Sequence, residues 1–184
     1  MGRLRATYLS SEKQYTRKMR TKPLREWFFY TDFKGLLHFE EEPHLQQRQS
    51  FTIATAIKDK RFLNQFYKNL QRLEGPLKYD RYPFVSDCWG EWNYLRVDVS
   101  PVVYNNLDLQ TGDLSFSYQQ SQKFNPSALR VDSRGYILHP FKEGIDGVFG
   151  SDLICDLSDR LSYDITGNAE LKLGDITHRI LKAS

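Results

Sequence analysis

At 184 residues, 40% hydrophobic and 14% aromatic, the chain holds enough apolar side chains for one compact domain or two small lobes sharing a core, which excludes a disordered polypeptide. No apolar run approaches the roughly 20 residues of a membrane-crossing helix, so no transmembrane segment is expected. The net charge of +3 is unevenly laid: residues 1–25 hold eight cations against the single Glu12, a net of +7, which leaves −4 on the remainder. An anionic body argues against a nucleic-acid partner, since phosphate binding needs a cationic face on the domain itself.

In chain order, "MGRLRATYLSSEKQYTRKMR" is rich in Arg, Ser, Thr and Tyr and nearly free of acid. A mitochondrial or plastid transit peptide is built this way, and so is a solvated basic tail, so residues 1–25 are assigned as basic tail or targeting segment. Ala6 stands where the myristoylation pattern needs Ser or Thr. "REWFFYTDFKGLLHFEEE" gives two apolar runs around a turn at Asp32 to Gly35, a hairpin pattern, and "SFTIATAI" is suited to pair beside it. Phe62, Phe66, Leu70 and Leu73 then fall at steps of four, four and three, which predicts a helix over 59–73 with Asp59 as N-cap and Gly75 as stop. A hairpin-plus-helix lobe over 26–75 is the result.

From Tyr79 to Phe141 short strands alternate with turn residues: "YPFVSDC", "WNYLRVDV", "VVYNNLDL", "LSFSYQQ", "ALRVD" and "YILHPF". That spacing predicts an antiparallel meander or a curled, barrel-like sheet in place of βαβ units. "KEGIDGVFGSDL" carries glycines at steps of three before a helix; Asp146 and Asp152 oppose an anion there, so it is read as a structural loop. Leu153, Leu157 and Leu161 at steps of four predict a second helix over 151–163 capped by Ser151, and "NAELKLGDITHRIL" a closing hairpin. The expected fold class is α+β, mainly antiparallel, with residues 76–184 as a sheet lobe.

Two cysteines, Cys88 and Cys155, are too few for a disulfide framework and are expected as free thiols. A nucleophilic Cys88 needs a histidine or a helix N-terminus beside it. His139 is the distant candidate and Glu91 the nearby acid, so the catalytic candidates are Cys88, His139 and Glu91, set against an inert thiol in a strand turn. Cys-x-x-Glu is only half a zinc motif, and no metal or cofactor is expected. Strict alternation puts Glu91 and Asn93 on one face and Arg96 on the other, so Arg96 needs a carboxylate partner from elsewhere. Ser86, Glu91, Asn93, Arg96 and His139 are the candidate binding residues.

Pro83, Phe84, Ser86, Cys88, Glu91, Asn93, Tyr94, Leu95, Arg96, Pro101, Val102 and Val103, together with "REWFFYTDFKG", "FLNQFYKNL" and "GYILHP", resemble an uncharacterised eukaryotic family typified by human chromosome-eight open reading frame eighty-two. The likeness covers nearly everything after residue 25. One departure is that Trp89 separates Cys88 from Gly90, where the family pattern has Gly directly after Cys. A fainter similarity is to a two-lobed bacterial domain of unknown function. The resemblance implies a mitochondrial location, with the cytoplasm as the alternative, and supplies no activity. The expected function is a non-catalytic ligand-binding or assembly module for a small ligand or protein partner, with a polar pocket around Cys88, Glu91, Arg96 and His139; the alternative is a small hydrolase or transferase centred on Cys88 and His139.

Overall fold

The aromatic run after Arg25 forms strand β1 (Glu26–Thr31), which turns back into β2 (Leu37–Glu40) with Phe29 opposite Phe39 and Thr31 opposite Leu37. Gly35 turns the chain at φ +79, and a Cβ there would stand 2.7 Å from the Val103 Cβ, so both conformation and space require glycine. The structure is a computed structural model that describes residues 23–40, 53–164 and 168–183. Most of the predicted tail, residues 1–22, therefore lies outside the described residues, as do residues 50–52 of the third predicted strand. The rest of that strand is β3 (Ile53–Ala56), antiparallel to β2.

Helix α1 (Lys60–Asn69) begins where Asp59 Oδ1 accepts the Phe62 N–H at 2.7 Å, the predicted N-cap. It ends four residues earlier than its periodicity suggests. Buried Asn69 donates its side-chain amide to the Asp87 carbonyl at 2.6 Å, and Leu70–Arg72 becomes strand β4, paired with β5 (Phe84–Cys88). Leu70 is fully buried there, so the strand satisfies the same apolar side chain that another helical turn would have used. Gly75 is not the helix stop; it takes φ +75 in the loop that follows β4. β6 (Glu91–Val97) forms a hairpin with β5 and lies parallel to β1, giving a six-stranded sheet in the order β3-β2-β1-β6-β5-β4.

The chain then builds β7 (Val103–Asp108), β8 (Asp113–Phe116), β9 (Gln120–Lys123), β10 (Arg130–Val131), β11 (Ile137–Lys142) and β12 (Ile145–Phe149). Helix α2 (Ser151–Asp156), a 3₁₀ turn over Ser158–Arg160, β13 (Leu161–Tyr163), β14 (Ala169–Leu173), β15 (Ile176–Arg179) and β16 (Leu181–Lys182) follow. The second sheet runs β16-β10-β11-β12-β7-β8-β9, and a third, smaller one β13-β14-β15, which contains the predicted closing hairpin. The sheets change between Val97 and Val103, beyond the Gly75 position at which the sequence suggested a change of lobe.

The α+β class and the two helices stand, but the antiparallel, barrel-like expectation is corrected. Among the described residues there are three sheets, none closed on itself, and β1–β6, β7–β12 and β10–β16 pair in parallel. Alternation along one strand fixes which side chains face inward and is silent about which distant strand lies next to it. The glycine segment is corrected too: it is strand β12, not a loop. A Cβ on Gly147 would stand 2.4 Å from the Tyr104 ring, so glycine there leaves room for that ring. The second helix covers only Ser151–Asp156; Gly150, with no side-chain cap bond, is its N-cap in place of Ser151. Leu161, predicted as its last apolar turn, pairs in β13 with Leu171 of β14.

One apolar core joins the sheets. Leu37 and Leu95 from the first sheet, Leu63 and Phe66 from α1, and Tyr104 and Leu114 from the second sheet have no exposed surface, each side chain contributing about 1.5–3 kcal/mol of burial. Tyr67 on α1 bridges them, with ring centroids 5.1 Å from Phe116 and 6.2 Å from Phe141.

Candidate functional site

The β5–β6 hairpin sorts the candidate residues by parity. Cys88 pairs with Glu91, Ser86 with Asn93 and Phe84 with Leu95, so all six side chains share the face covered by α1. Ser86 Oγ donates to the Phe66 carbonyl at 2.7 Å and lies 3.3 Å from the Cys88 Sγ; Asn93 Nδ2 donates to the Ser86 carbonyl at 2.9 Å. Glu91 accepts the Trp27 indole N–H at 2.8 Å. The Ser86–Phe66 bond ties helix to hairpin. Burial pushes the Cys88 thiol pKa above its ordinary value, and Asp87 and Glu91 push the same way against the Ser86 hydroxyl. A thiol that is 1% exposed, with no imidazole in its hydrogen-bond set, is a poor nucleophile.

Arg96 stands on the opposite face, as its parity requires. Glu40, two strands away on β2, is its partner: Arg96 Nε lies 2.9 Å from both carboxylate oxygens, and Nη2 is 2.8 Å from one of them. The Tyr82 hydroxyl donates to the same carboxylate at 2.7 Å, and the guanidinium sits 4.0 Å over the Tyr30 ring. Burial works to lower the Arg96 pKa, but the Glu40 carboxylate outweighs it and holds the pKa above its usual value. A second carboxylate on this face, Glu26, accepts Lys78 Nζ at 2.7 Å, the Tyr79 hydroxyl at 2.8 Å and the Tyr94 hydroxyl at 3.2 Å. Glu26 and Glu40 thus anchor an aromatic layer of Phe28, Tyr79, Tyr82 and Tyr94. Sequence reasoning found the need for a carboxylate opposite Arg96 and missed Glu40, whose only local signal is that it shares parity with His38.

His139 belongs to the second sheet and is 3% exposed. The Asn125 N–H donates to its Nε2 at 3.0 Å. Gln122 lies 3.0 Å from Nδ1 and donates to the Tyr104 hydroxyl at 2.7 Å and the Pro140 carbonyl at 2.8 Å. The Tyr104 and Phe124 rings flank the imidazole at 5.7 and 5.6 Å. Burial holds its pKa below the ordinary histidine value, so the ring is neutral at neutral pH. The hairpin therefore brings Ser86, Cys88, Glu91 and Asn93 together, while Arg96 and His139 each serve a separate network. Among the described residues, no group of three His, Cys, Asp or Glu side chains is placed to hold a metal.

Hollows among the described residues include two that touch the second sheet. One, of about 200 Å³, lies where the first and second sheets meet, near Arg72, Ser100 and Asp146. Of its lining charges, Asp146 pairs with Arg130 at 2.6 Å and Arg134 with Asp132 at 2.9 Å. The other, of about 310 Å³, lies between the second sheet, α2 and the third sheet. Val131, Ile137, Phe149, Ile154, Leu161 and Ala169 form its wall, and it has no Asp, Glu, Lys, Arg or His in its lining. Parity explains the wall: Val131 pairs with Ile137 across β10 and β11, placing both on one face of the sheet. Exposed Tyr136 and Tyr163 stand at its mouth.

Fold and site together define a β-rich α+β domain that carries an uncharged hollow beside hydrogen-bonded polar clusters. The chain belongs to the family described as domain of unknown function DUF4505, whose model matches residues 17–179. Its fold is similar to the crystal structure of a DUF1285 family protein from Silicibacter pomeroyi DSS-3, with a TM-score of 0.52, 13% identity, and coverage of 87% of this chain and 84% of that one. No helix among the described residues is long and apolar enough to cross a membrane.

Proposed function

We propose that this protein is a non-catalytic binding module that takes a small, uncharged, largely apolar molecule in the hollow between the second and third sheets. The carrying observation is the lining: a volume of about 310 Å³ walled by aliphatic and aromatic side chains, with tyrosines at the mouth and no ionised group inside. Such a volume is at the lower end of the range for small-molecule pockets. A charged ligand would be stripped of water there with nothing to pair against, whereas an apolar body exchanges water for the wall at roughly 25 cal/mol per Å². The tyrosine hydroxyls offer the polar contacts that orient a ligand carrying one donor or acceptor.

A hydrolase or transferase centred on Cys88 and His139 has less support, because the thiol and the imidazole serve separate hydrogen-bond networks in different sheets. A mitochondrial location belongs to the proposal, on the strength of the arginine-rich, acid-poor residues 1–25 and the family resemblance. Ligand-observed NMR with a library of neutral and charged fragments tests the binding reading. Neutral aromatic and aliphatic fragments should give saturation transfer that is lost in Ile154→Trp, which fills the hollow. Hits confined to charged fragments, or neutral hits indifferent to Ile154→Trp in a protein that still folds, would count against it.

A further inference from the structure

Strand β13 borders the hollow, and the hydrogen bonds of the third sheet fix which way its backbone faces. The Asp164 N–H donates to the Asn168 carbonyl at 2.9 Å, and the register continues with Tyr163 opposite Ala169, Ser162 opposite Glu170 and Leu161 opposite Leu171. Hydrogen-bonded and non-hydrogen-bonded pairs alternate along an antiparallel ladder, so Ser162 bonds to Glu170 while the N–H and C=O of Tyr163 and Leu161 point away from β14. The far side of β14 agrees: the Ala169 carbonyl, opposite Tyr163, accepts the Ile180 N–H at 2.8 Å. On the outer edge the Leu161 N–H is taken by the Leu157 carbonyl at 2.9 Å. β13 has a neighbour on one side only, and the Tyr163 N–H and C=O have no hydrogen-bond partner among the described residues. Tyr163 is 79% exposed, so the edge is reachable at this residue. The adjacent Asp164 carboxylate is occupied, accepting the Asn168 N–H at 2.8 Å and its side-chain amide at 2.9 Å.

We propose that the ligand of the hollow is a small N-acylated apolar amino-acid amide, one residue that pairs with the Tyr163 backbone and buries its side chain against the wall. This rests on the reading of the hollow as a site for a neutral apolar molecule and names the chemical class. An extended residue carries its N–H and C=O on one edge, spaced to exchange two hydrogen bonds with the outward pair on Tyr163. Residues directly opposite each other place their side chains on the same face of a sheet. Tyr163 shares its face with Leu161 and Ala169, both in the wall of the hollow, so a residue paired with Tyr163 directs its side chain toward that wall. Acylation and amidation remove the two charges of a free amino acid, which the lining, without Asp, Glu, Lys, Arg or His, has nothing to pair with. A longer peptide gains little, because β13 ends at Tyr163 and its remaining outward group is the Leu161 carbonyl. Short open edges are ordinary in sheets; here the open residue stands at the mouth of an apolar hollow.

NMR titration of the full, nitrogen-labelled chain with N-acetyl-leucine N-methylamide tests the pairing, beside the ester analogue in which oxygen replaces the leucine N–H. The amide should move the Tyr163 N–H signal downfield and bind about five- to tenfold more tightly than the ester, the worth of one hydrogen bond. Tyr163→Pro removes the outward donor and no ladder bond, so an edge strand should tolerate it. It should weaken amide binding about five- to tenfold relative to Tyr163→Ala, which keeps the N–H. Equal affinity of the wild type for amide and ester would overturn the pairing; the hollow reading would then stand if isobutylbenzene, a probe with no amide, still bound and lost its binding in Ile154→Trp. Absence of any binding that Ile154→Trp abolishes would overturn both. The acetylated tripeptide amide Ala-Leu-Ala binding more than about tenfold tighter than the single residue would overturn the small-ligand assignment in favour of a peptide segment.

Discussion

Lys142 is the sharpest test of how the second sheet is joined to α1. It ends β11, and its Nζ donates to the carbonyls of Leu70 at 2.8 Å, Lys68 at 2.9 Å and Tyr67 at 3.2 Å, the unsatisfied C-terminal end of α1. No carboxylate takes part; the ammonium answers backbone dipoles, a cation at the negative end of a helix. Lys142→Met keeps the aliphatic stem and removes the donor. Hydrogen bonds to a charged group contribute about 1.5–3 kcal/mol. Burial, which pushes the Lys142 pKa below its ordinary value, shows that desolvation of the ammonium offsets part of that gain. The expected net loss is therefore near the lower end, about 1.5 kcal/mol, or a fall in Tm of about 3–6 °C for a chain of this size. Urea denaturation of the wild type, Lys142→Met and Lys142→Arg would measure it, with Lys142→Arg retaining most of the stability. A change below about 0.5 kcal/mol for Lys142→Met, within the range of ordinary surface substitutions, would refute the assignment of this lysine as the link between helix and second sheet.

Three further outcomes follow from the buried networks. In the native protein a thiol reagent at neutral pH should modify Cys155, which is exposed, and leave Cys88 unreacted until denaturant is added; prompt loss of both thiols would contradict the raised Cys88 pKa. His139 has a folded pKa below its unfolded value of about 6.5, so the unfolded chain binds the proton more tightly and its contribution is complete above that pH. Stability should fall as pH drops below about 6.5, and the slope should flatten in a folded His139→Gln variant if the titration is correctly assigned. Arg96→Met should cost about 3–5 kcal/mol, since it leaves the Glu40 side chain, 10% exposed, without its ion partner. The double variant Glu40→Leu with Arg96→Met should recover much of that loss; strict additivity of the two single losses in equilibrium unfolding would argue against a coupled pair.

Local structure was legible where one physical signal decides it. Asp59 caps α1 because a carboxylate three residues before a free N–H is self-contained in sequence, and the turn at Gly35 follows from its missing Cβ. Errors came where two structures satisfy the same pattern. Leu70 is equally buried on a further helical turn or in β4, and only the facing strand β5, with Leu70 opposite Ser86, selects the strand. Leu161 likewise continues a four-residue spacing yet is taken by Leu171 of β14. "IDGVF" was hidden because glycine usually marks loops, whereas Gly147 is demanded by the Tyr104 ring of a neighbouring strand.

The site shows the same division between parity and partner. Alternation correctly placed Arg96 away from Glu91 and required a carboxylate for it, but that carboxylate is 56 residues away in sequence, on a strand reached through β1. A lone sequence gives no register between β6 and β1, and without it Glu40 is one acid among many. His139 fails to meet Cys88 for a related reason: both were read as members of one continuous meander, and the chain instead ends its first sheet at Val97 and begins another at Val103. Once the sheets separate, Arg96 and His139 are each satisfied by their own neighbours. A buried polar group left without a partner would cost about 1–3 kcal/mol, so selection for stability alone can produce such closed sets. What stability does not explain is surface that remains unsatisfied, and among the described residues that includes an uncharged hollow of about 310 Å³ and, at its mouth, the unpaired backbone of Tyr163.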